Sequence, residues 1–264
     1  MSSEFLPVHL GGLPVVAAAI HDGHAIRPEL HPYMNLSESE RLREEDPYTA
    51  DWTRICQWRL IGCRSRFEVD FNRPPEKAVY RTPEDSWGLQ VWKDPLPQSI
   101  VNRSMDEYEN FYADLYDLLS ELVDQHGQIV VYDLHTYNHR RQGPDSPPAD
   151  PESNPEINVG TGTMDREQWA PIVERFQEDL RAFDFLGRQL DVRENVRFKG
   201  GHFSRWIHET FPHSVCCLPI EVKKFFMDEW TGTADPIQLE AIEAALRSTI
   251  PGVVRELRSI HVTV

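Results

Sequence analysis

Apolar positions along the chain follow two periods. Three short runs with few polar interruptions, residues 15–20, 129–132 and 215–220, have the length and apolar, β-branched-rich content of strands buried on both faces. The third contains Pro219, which removes one ladder donor and argues against a fully paired strand. Each run leads straight into residues that can do chemistry: His21 after the first, Asp133 and His135 after the second, Glu221 after the third. In open α/β sheets such groups collect at strand ends.

A helical period separates these runs. Tyr108, Phe111, Tyr112, Leu115, Leu118, Leu119 and Leu122 recur at spacings of three and four, which predicts a helix over residues 104–125. Ser104 and Glu107 fit a capping box at its start, and Gly127 fits a stop. Two more helices are expected over 169–186 and 237–257, with Pro251 ending or kinking the second. Residues 143–155 hold five prolines and should form an irregular loop at the rim of whatever site His135 serves. Strands alternating with helices over one unbroken chain predict an α/β fold, a single-domain mixed sheet with helices on both faces.

Composition narrows the function. The 264 residues carry a formal net charge of −16, with no basic footprint for nucleic acid. No apolar stretch approaches the ~20 residues that span a bilayer, and the N-terminus lacks the basic flank of a signal peptide, so a cytoplasmic address is expected. Cys56, Cys63, Cys216 and Cys217 match neither a disulfide framework nor a CxxC metal pattern and should be reduced.

Six stretches carry candidate chemistry. His21-Asp22-Gly23-His24 offers strand-end imidazoles, either metal ligands or structural groups. In Asp133-Leu134-His135 the period of two puts acid and imidazole on one face. Arg43-Glu44-Glu45-Asp46-Pro47-Tyr48 reads as a solvated acidic helix start or as the source of a carboxylate ligand. Alternation from Arg66 to Asn72 would align Arg66, Glu68, Asp70 and Asn72 on one side of an extended segment. There Arg66 and Arg73 suit a carboxylate or developing oxyanion, with Asp70 as an internal partner, unless the row is a surface ion-pair ladder. Gly200-Gly201, between Lys199 and Arg205, permits close approach to a ligand or makes a simple turn. Glu221 interrupts an apolar run, which suits a general base, although Lys223 or Lys224 offers an ion pair instead.

In this order the segments resemble the N-formylglutamate amidohydrolase family, a branch of the zinc carboxypeptidase-like hydrolases, from about Val15 to about Gly232. The matching stretches are the run from His21 to Pro28, Glu45-Asp46, Ser65-Arg66, Asp70-Phe71-Asn72-Arg73-Pro74, Asp133-Leu134-His135, Arg197-Phe198-Lys199-Gly200-Gly201, and Glu221 followed by Met227-Asp228-Glu229. The resemblance implies a carboxypeptidase-like fold and one zinc ion held by His21, Asp46 and His135, with neighbouring Glu45 equally able to bind. It further implies Glu221 as general base and proton shuttle, Arg66 polarising the scissile carbonyl, Asn72 and Arg73 clamping a substrate carboxylate, and Arg205 as another basic contact. The expected substrate is N-formyl-L-glutamate or a related small acidic N-acyl amino acid. The run from Tyr137 to Arg141 and the proline-rich loop look like subfamily features, which leaves a larger peptide-like substrate as an alternative, and a non-catalytic metal-binding protein as a third.

Overall fold

The computed structural model describes residues 3–6 and 12–260; the rest of the N-terminal stretch weighed above as a leader lies outside the described residues. In chain order the elements are strands β1 (Ser3–Leu6) and β2 (Val15–Ala19), helices α1 (Glu38–Glu44) and α2 (Thr49–Trp52), β3 (Trp58–Gly62), α3 (Gln98–His126), β4 (Ile129–Tyr137), β5 (Ile157–Val159), α4 (Ala170–Ala182), β6 (Val192–Glu194), α5 (His202–Thr210), β7 (Val215–Lys223) and α6 (Pro236–Ile260). One mixed sheet has the order β1-β3-β2-β4-β7-β5-β6. Its centre, β3-β2-β4-β7, is parallel, while β1 and β5 run antiparallel to their inner neighbours.

Apolar character on both sides of each central strand explains the two helical layers. Val15, Ala17, Val130, Tyr132 and Cys216 pack against α4 and α6. Val16, Ala18, Val131 and Cys217, one residue over and therefore on the opposite face, pack against α3 and α5. Cys56, Cys216 and Cys217 are free thiols, Cys216 and Cys217 fully buried. The expected mixed sheet with helices on both faces is thus observed. Among the described residues, no helix is long and apolar enough to cross a membrane.

Several boundaries differ from expectation. Helix α3 begins at Gln98, directly after Pro97, and Ser104 caps nothing: it is fully buried and accepts a hydrogen bond from Arg27 Nη2 at 2.8 Å. Glu107 faces Arg27 and Arg64 instead of closing a capping box. At the other end Gly127, with φ 77°, stops the helix as anticipated. Helix α4 stops at Ala182, before the turn in which Asp184 accepts from the Gly187 N–H at 2.7 Å. Pro251 neither ends nor shortens α6, because buried Ile250, Val253, Val254 and Leu257 fix the helix on both sides of it. Pro219 sits within β7, where its carbonyl accepts from Gly160 N. Its missing N–H falls on the same side, opposite Gly160 just past the end of β5, so the only bond forgone is the reciprocal one of that last pair.

Candidate active site

Parallel β2, β4 and β7 point their carboxyl ends the same way, and that common edge gathers the candidate groups. His21 follows β2 by two residues; His135 and Glu221 are directly opposed in the β4–β7 register. Asp46 arrives from the turn after α1, and its backbone N–H donates to His21 O at 3.0 Å, tying the two segments together. The acidic stretch is the end of α1, not a solvated helix start: Ser37 and Glu40 form a capping box that begins the helix earlier, and Glu44, Glu45 and Asp46 are buried.

Ligand-type atoms of His21, Asp46 and His135 all lie within 4.8 Å of one another, and all three residues are buried. Asp46 Oδ2 is 3.3 Å from His21 Nδ1 and 3.0 Å from His135 Nδ1. The opposite nitrogens are held by further carboxylates, His21 Nε2 by Asp70 Oδ1 at 2.7 Å and His135 Nε2 by Asp133 Oδ1 at 2.9 Å. Such outer acids fix imidazole orientation and raise ligand basicity. Burial alone would raise the Asp46 pKa, but the adjoining His135 and His21 imidazoles outweigh it and hold the carboxyl below its ordinary range. Thr136 Oγ1 donates to the other Asp46 oxygen at 3.0 Å. His21 Nδ1 is buried without a hydrogen-bond partner, and the convergence of two nitrogens and one carboxylate oxygen on one point fits a divalent cation. Glu45 faces elsewhere: its carboxylate takes His24 Nδ1 at 2.5 Å and the Ser65 hydroxyl.

A cavity of about 240 Å³ opens over this group, lined also by Arg66, Asn72, Arg73, Lys199, Glu221 and Lys224. The extended segment expected from Arg66 to Asn72 is instead a series of turns, with Glu68 N bonded to Ser65 O and Arg73 N to Asp70 O. Phe67, Val69 and Phe71 are buried in two different clusters, and Glu68 turns away from the cavity to Arg27. Asp70 is the hub: besides His21, it accepts from Arg66 Nη2 at 2.9 Å, the Tyr80 hydroxyl and Asn72 N at 2.8 Å. Burial opposes its ionisation, but Arg66 and His21 dominate and hold its pKa well down. The carboxylate of half-buried Glu221 makes no hydrogen bond or ion pair among the described residues. Burial, the largest cause, lifts its pKa to about 7; His135 pulls it down, and Asp46 and Asp133 push it up. Neither lysine considered as its partner takes it: Lys223 Nζ donates to Asn154 O, and Lys224 Nζ to Arg43 O and Glu45 O.

The chain matches the model of the N-formylglutamate amidohydrolase family over residues 13–227. It belongs to that family. A crystal structure of N-formylglutamate amidohydrolase from Ralstonia eutropha JMP134 superposes with a TM-score of 0.74 at 16% identity, covering 97% of this chain and 98% of that one. A second, of a gene product of Agrobacterium tumefaciens, gives 0.63 at 16% identity over 94% and 92%. At such identity the likeness is one of fold. No curated protein is significantly similar to the chain.

Within this amidohydrolase frame, Arg66, Asn72 and Arg73 reach the cavity, whereas Arg205 is exposed on α5 and is not among the lining residues. Asn72 has a second task, since its Oδ1 accepts from Phe203 N and caps α5. Gly201 makes that contact possible, because a Cβ there would lie 2.1 Å from the Asn72 amide. Of the run after β4, Tyr137, Asn138 and Arg141 line the cavity; residues 143–155 do not. Lys224, Glu44, Arg141 and Trp87 also line it, and none was singled out from sequence as a site residue. Arg141 pairs with Glu44 at 3.0 Å, and Trp87, in a left-handed conformation at φ 55°, lies 4.8 Å from the Arg66 guanidinium carbon.

Proposed function

We propose that the chain is a zinc-dependent amidohydrolase that cleaves the formyl amide of N-formyl-L-glutamate or a closely related acidic N-acyl amino acid. The observation that carries this reading is the convergence of His21, Asp46 and His135 beside an ionisable Glu221, inside a cavity with arginines on its wall. Two imidazoles and one carboxylate are a donor set that suits zinc and leaves a position open. Zinc bound there supplies an acidified water and a Lewis acid for the carbonyl oxygen.

The chain's own groups account for the remaining steps. Glu221 takes a proton from the attacking water as its oxygen joins the amide carbon, a task suited to a carboxyl that titrates near neutrality. Arg66, held in place by Asp70 and Tyr80, meets the negative charge that grows on the carbonyl oxygen. As the carbon–nitrogen bond breaks, the proton passes from Glu221 to the departing amine, leaving formate and the free amino acid. Arg73 and the Asn72 amide nitrogen grip the substrate carboxylate. Arg73 has capacity for this because its nearest acid, Asp70, lies 3.8 Å away and is already bonded to His21, Arg66 and Tyr80, and the only hydrogen bond of the Arg73 guanidinium among the described residues is a long one of 3.4 Å from Nη2 to Asp85 O. In a chain with a net charge of −16, cations at this cavity give an acidic substrate a locally favourable field.

A volume of about 240 Å³ is small for a ligand site, which favours a compact N-acyl amino acid over a peptide segment. Assay of the purified protein against N-formyl, N-acetyl and peptidyl acidic substrates tests the reading. Formate release from a formylated acidic amino acid is the expected result. Hydrolysis restricted to the peptidyl substrates would transfer the site to carboxypeptidase-like chemistry, and no hydrolysis of any would leave a metal-binding protein without turnover.

A further inference from the structure

Lys224 is 1% exposed, stands three residues after Glu221 and lines the same cavity. Its ammonium donates to Arg43 O at 2.6 Å and Glu45 O at 2.8 Å. Both oxygens belong to the C-terminal end of α1, where carbonyls lack helical partners and attract a cation. The next residue is Asp46, whose N–H is itself bonded to His21 O. Withdrawing an ammonium from water is costly unless its hydrogens and charge are matched, and a methionine would fill the same space without that cost. Packing alone therefore does not account for a lysine here.

We infer that Lys224 is a positioning residue that locks the turn carrying Asp46 to the end of the strand carrying Glu221, so that metal ligand and proton acceptor keep one spacing. The inference rests on the reading of His21, Asp46 and His135 as metal ligands. Burial, the largest cause, brings the Lys224 pKa down to about 8, while the acids Asp46, Glu44 and Glu229 support its charge and Arg141 opposes it. Without the ammonium the α1 terminus loses its anchor to β7, and Asp46 is held through its backbone bond to His21 and its side-chain bonds to His135 and Thr136.

Lys224→Met preserves the length and apolar stem of the side chain and removes the lock. Its zinc dissociation constant, measured on the full chain by competition with a chromophoric chelator, should rise about 10- to 100-fold, the usual effect of losing a group that orients a ligand. Turnover on the formylated substrate should fall about tenfold or more while KM changes little, because the carboxylate clamp is untouched. Lys224→Arg, which keeps a charged donor, should lie closer to wild type in both. A folded Lys224→Met protein whose zinc affinity and kcat stay within about threefold of wild type would overturn the inference. Should that variant not fold, Lys224→Gln is measured in the same way, and unchanged zinc affinity in it would overturn the inference equally. If wild type binds zinc but releases formate from no substrate while Lys224→Met still weakens zinc, the substrate reading fails and the role of Lys224 stands.

Discussion

Replacing Glu221 by glutamine keeps the shape of the side chain and removes its proton chemistry, with opposite consequences for rate and stability. A general base contributes at least about 100-fold to turnover, so E221Q should lose that factor in kcat, about 2.7 kcal/mol of activation free energy. Stability follows from the raised pKa. Below pH 4.5 the carboxyl is protonated in both folded and unfolded chains; between 4.5 and about 7 the unfolded chain releases the proton while the folded chain retains it. Folding therefore loses stability as pH rises through that window, and the loss is complete above it. A rise from 4.5 to about 7 corresponds to about 3 kcal/mol. Stripped of metal by a chelator, E221Q should unfold at higher urea than wild type at about pH 8, by up to that amount, and the two should converge near pH 4. In the metal-loaded enzyme a neighbouring cation favours the carboxylate, so the rising limb of kcat/KM should lie at or below about pH 7 in wild type and vanish in the variant. Urea unfolding followed by circular dichroism, together with a pH–rate profile, measures both effects. A variant that keeps more than about a tenth of wild-type kcat, or gains no stability at about pH 8, would refute the assignment of Glu221.

Three further substitutions probe the surrounding parts. Arg73→Ala should raise KM more than it lowers kcat, because the clamp acts on substrate and transition state alike; steady-state kinetics in which kcat alone falls would contradict it. Asp70→Asn weakens the hold on His21 and Arg66 together, so zinc affinity should fall about 10- to 100-fold and kcat should fall with it, and chelator competition showing unaltered affinity would detach Asp70 from the metal group. Gly201→Ala drives a methyl group into the Asn72 amide and should cost about 1–3 kcal/mol, read as a lower melting temperature with α5 less protected in hydrogen exchange; an unchanged melting temperature would mean the Asn72 cap is dispensable.

What could be read from the residues alone was whatever depends on local pattern. Apolar runs ending in His21, His135 and Glu221 announced strand ends, and parallel pairing then brought those ends to one edge. The periodic stripe from Tyr108 to Leu122 located α3, yet not its start, because Ser104 answers to Arg27, 77 positions away, rather than to its own helix. Alternation from Arg66 to Asn72 suggested a strand, whereas Asp70 gathers His21, Arg66 and Tyr80 and bends the segment into turns around itself. Lys224 suggested a partner for Glu221 because the two are close in sequence; its true acceptors are carbonyls of α1, visible only once β7 and α1 are packed together. The choice between Glu45 and Asp46 is likewise a tertiary one: adjacent side chains at the end of α1 face different neighbours, His24 and Ser65 for one, the paired imidazoles for the other.

Whether His21, Asp46 and His135 hold one divalent cation on which turnover depends is decided by a zinc titration. Protein freed of metal by chelation is titrated with zinc while bound metal and formate release are recorded, in wild type and in the His21→Ala, His135→Ala double variant. Wild-type activity should climb in proportion to zinc and level off at one ion per chain, and the double variant should retain neither metal nor activity. Zinc bound undiminished by the double variant, or full formate release from chelated wild type, would contradict it.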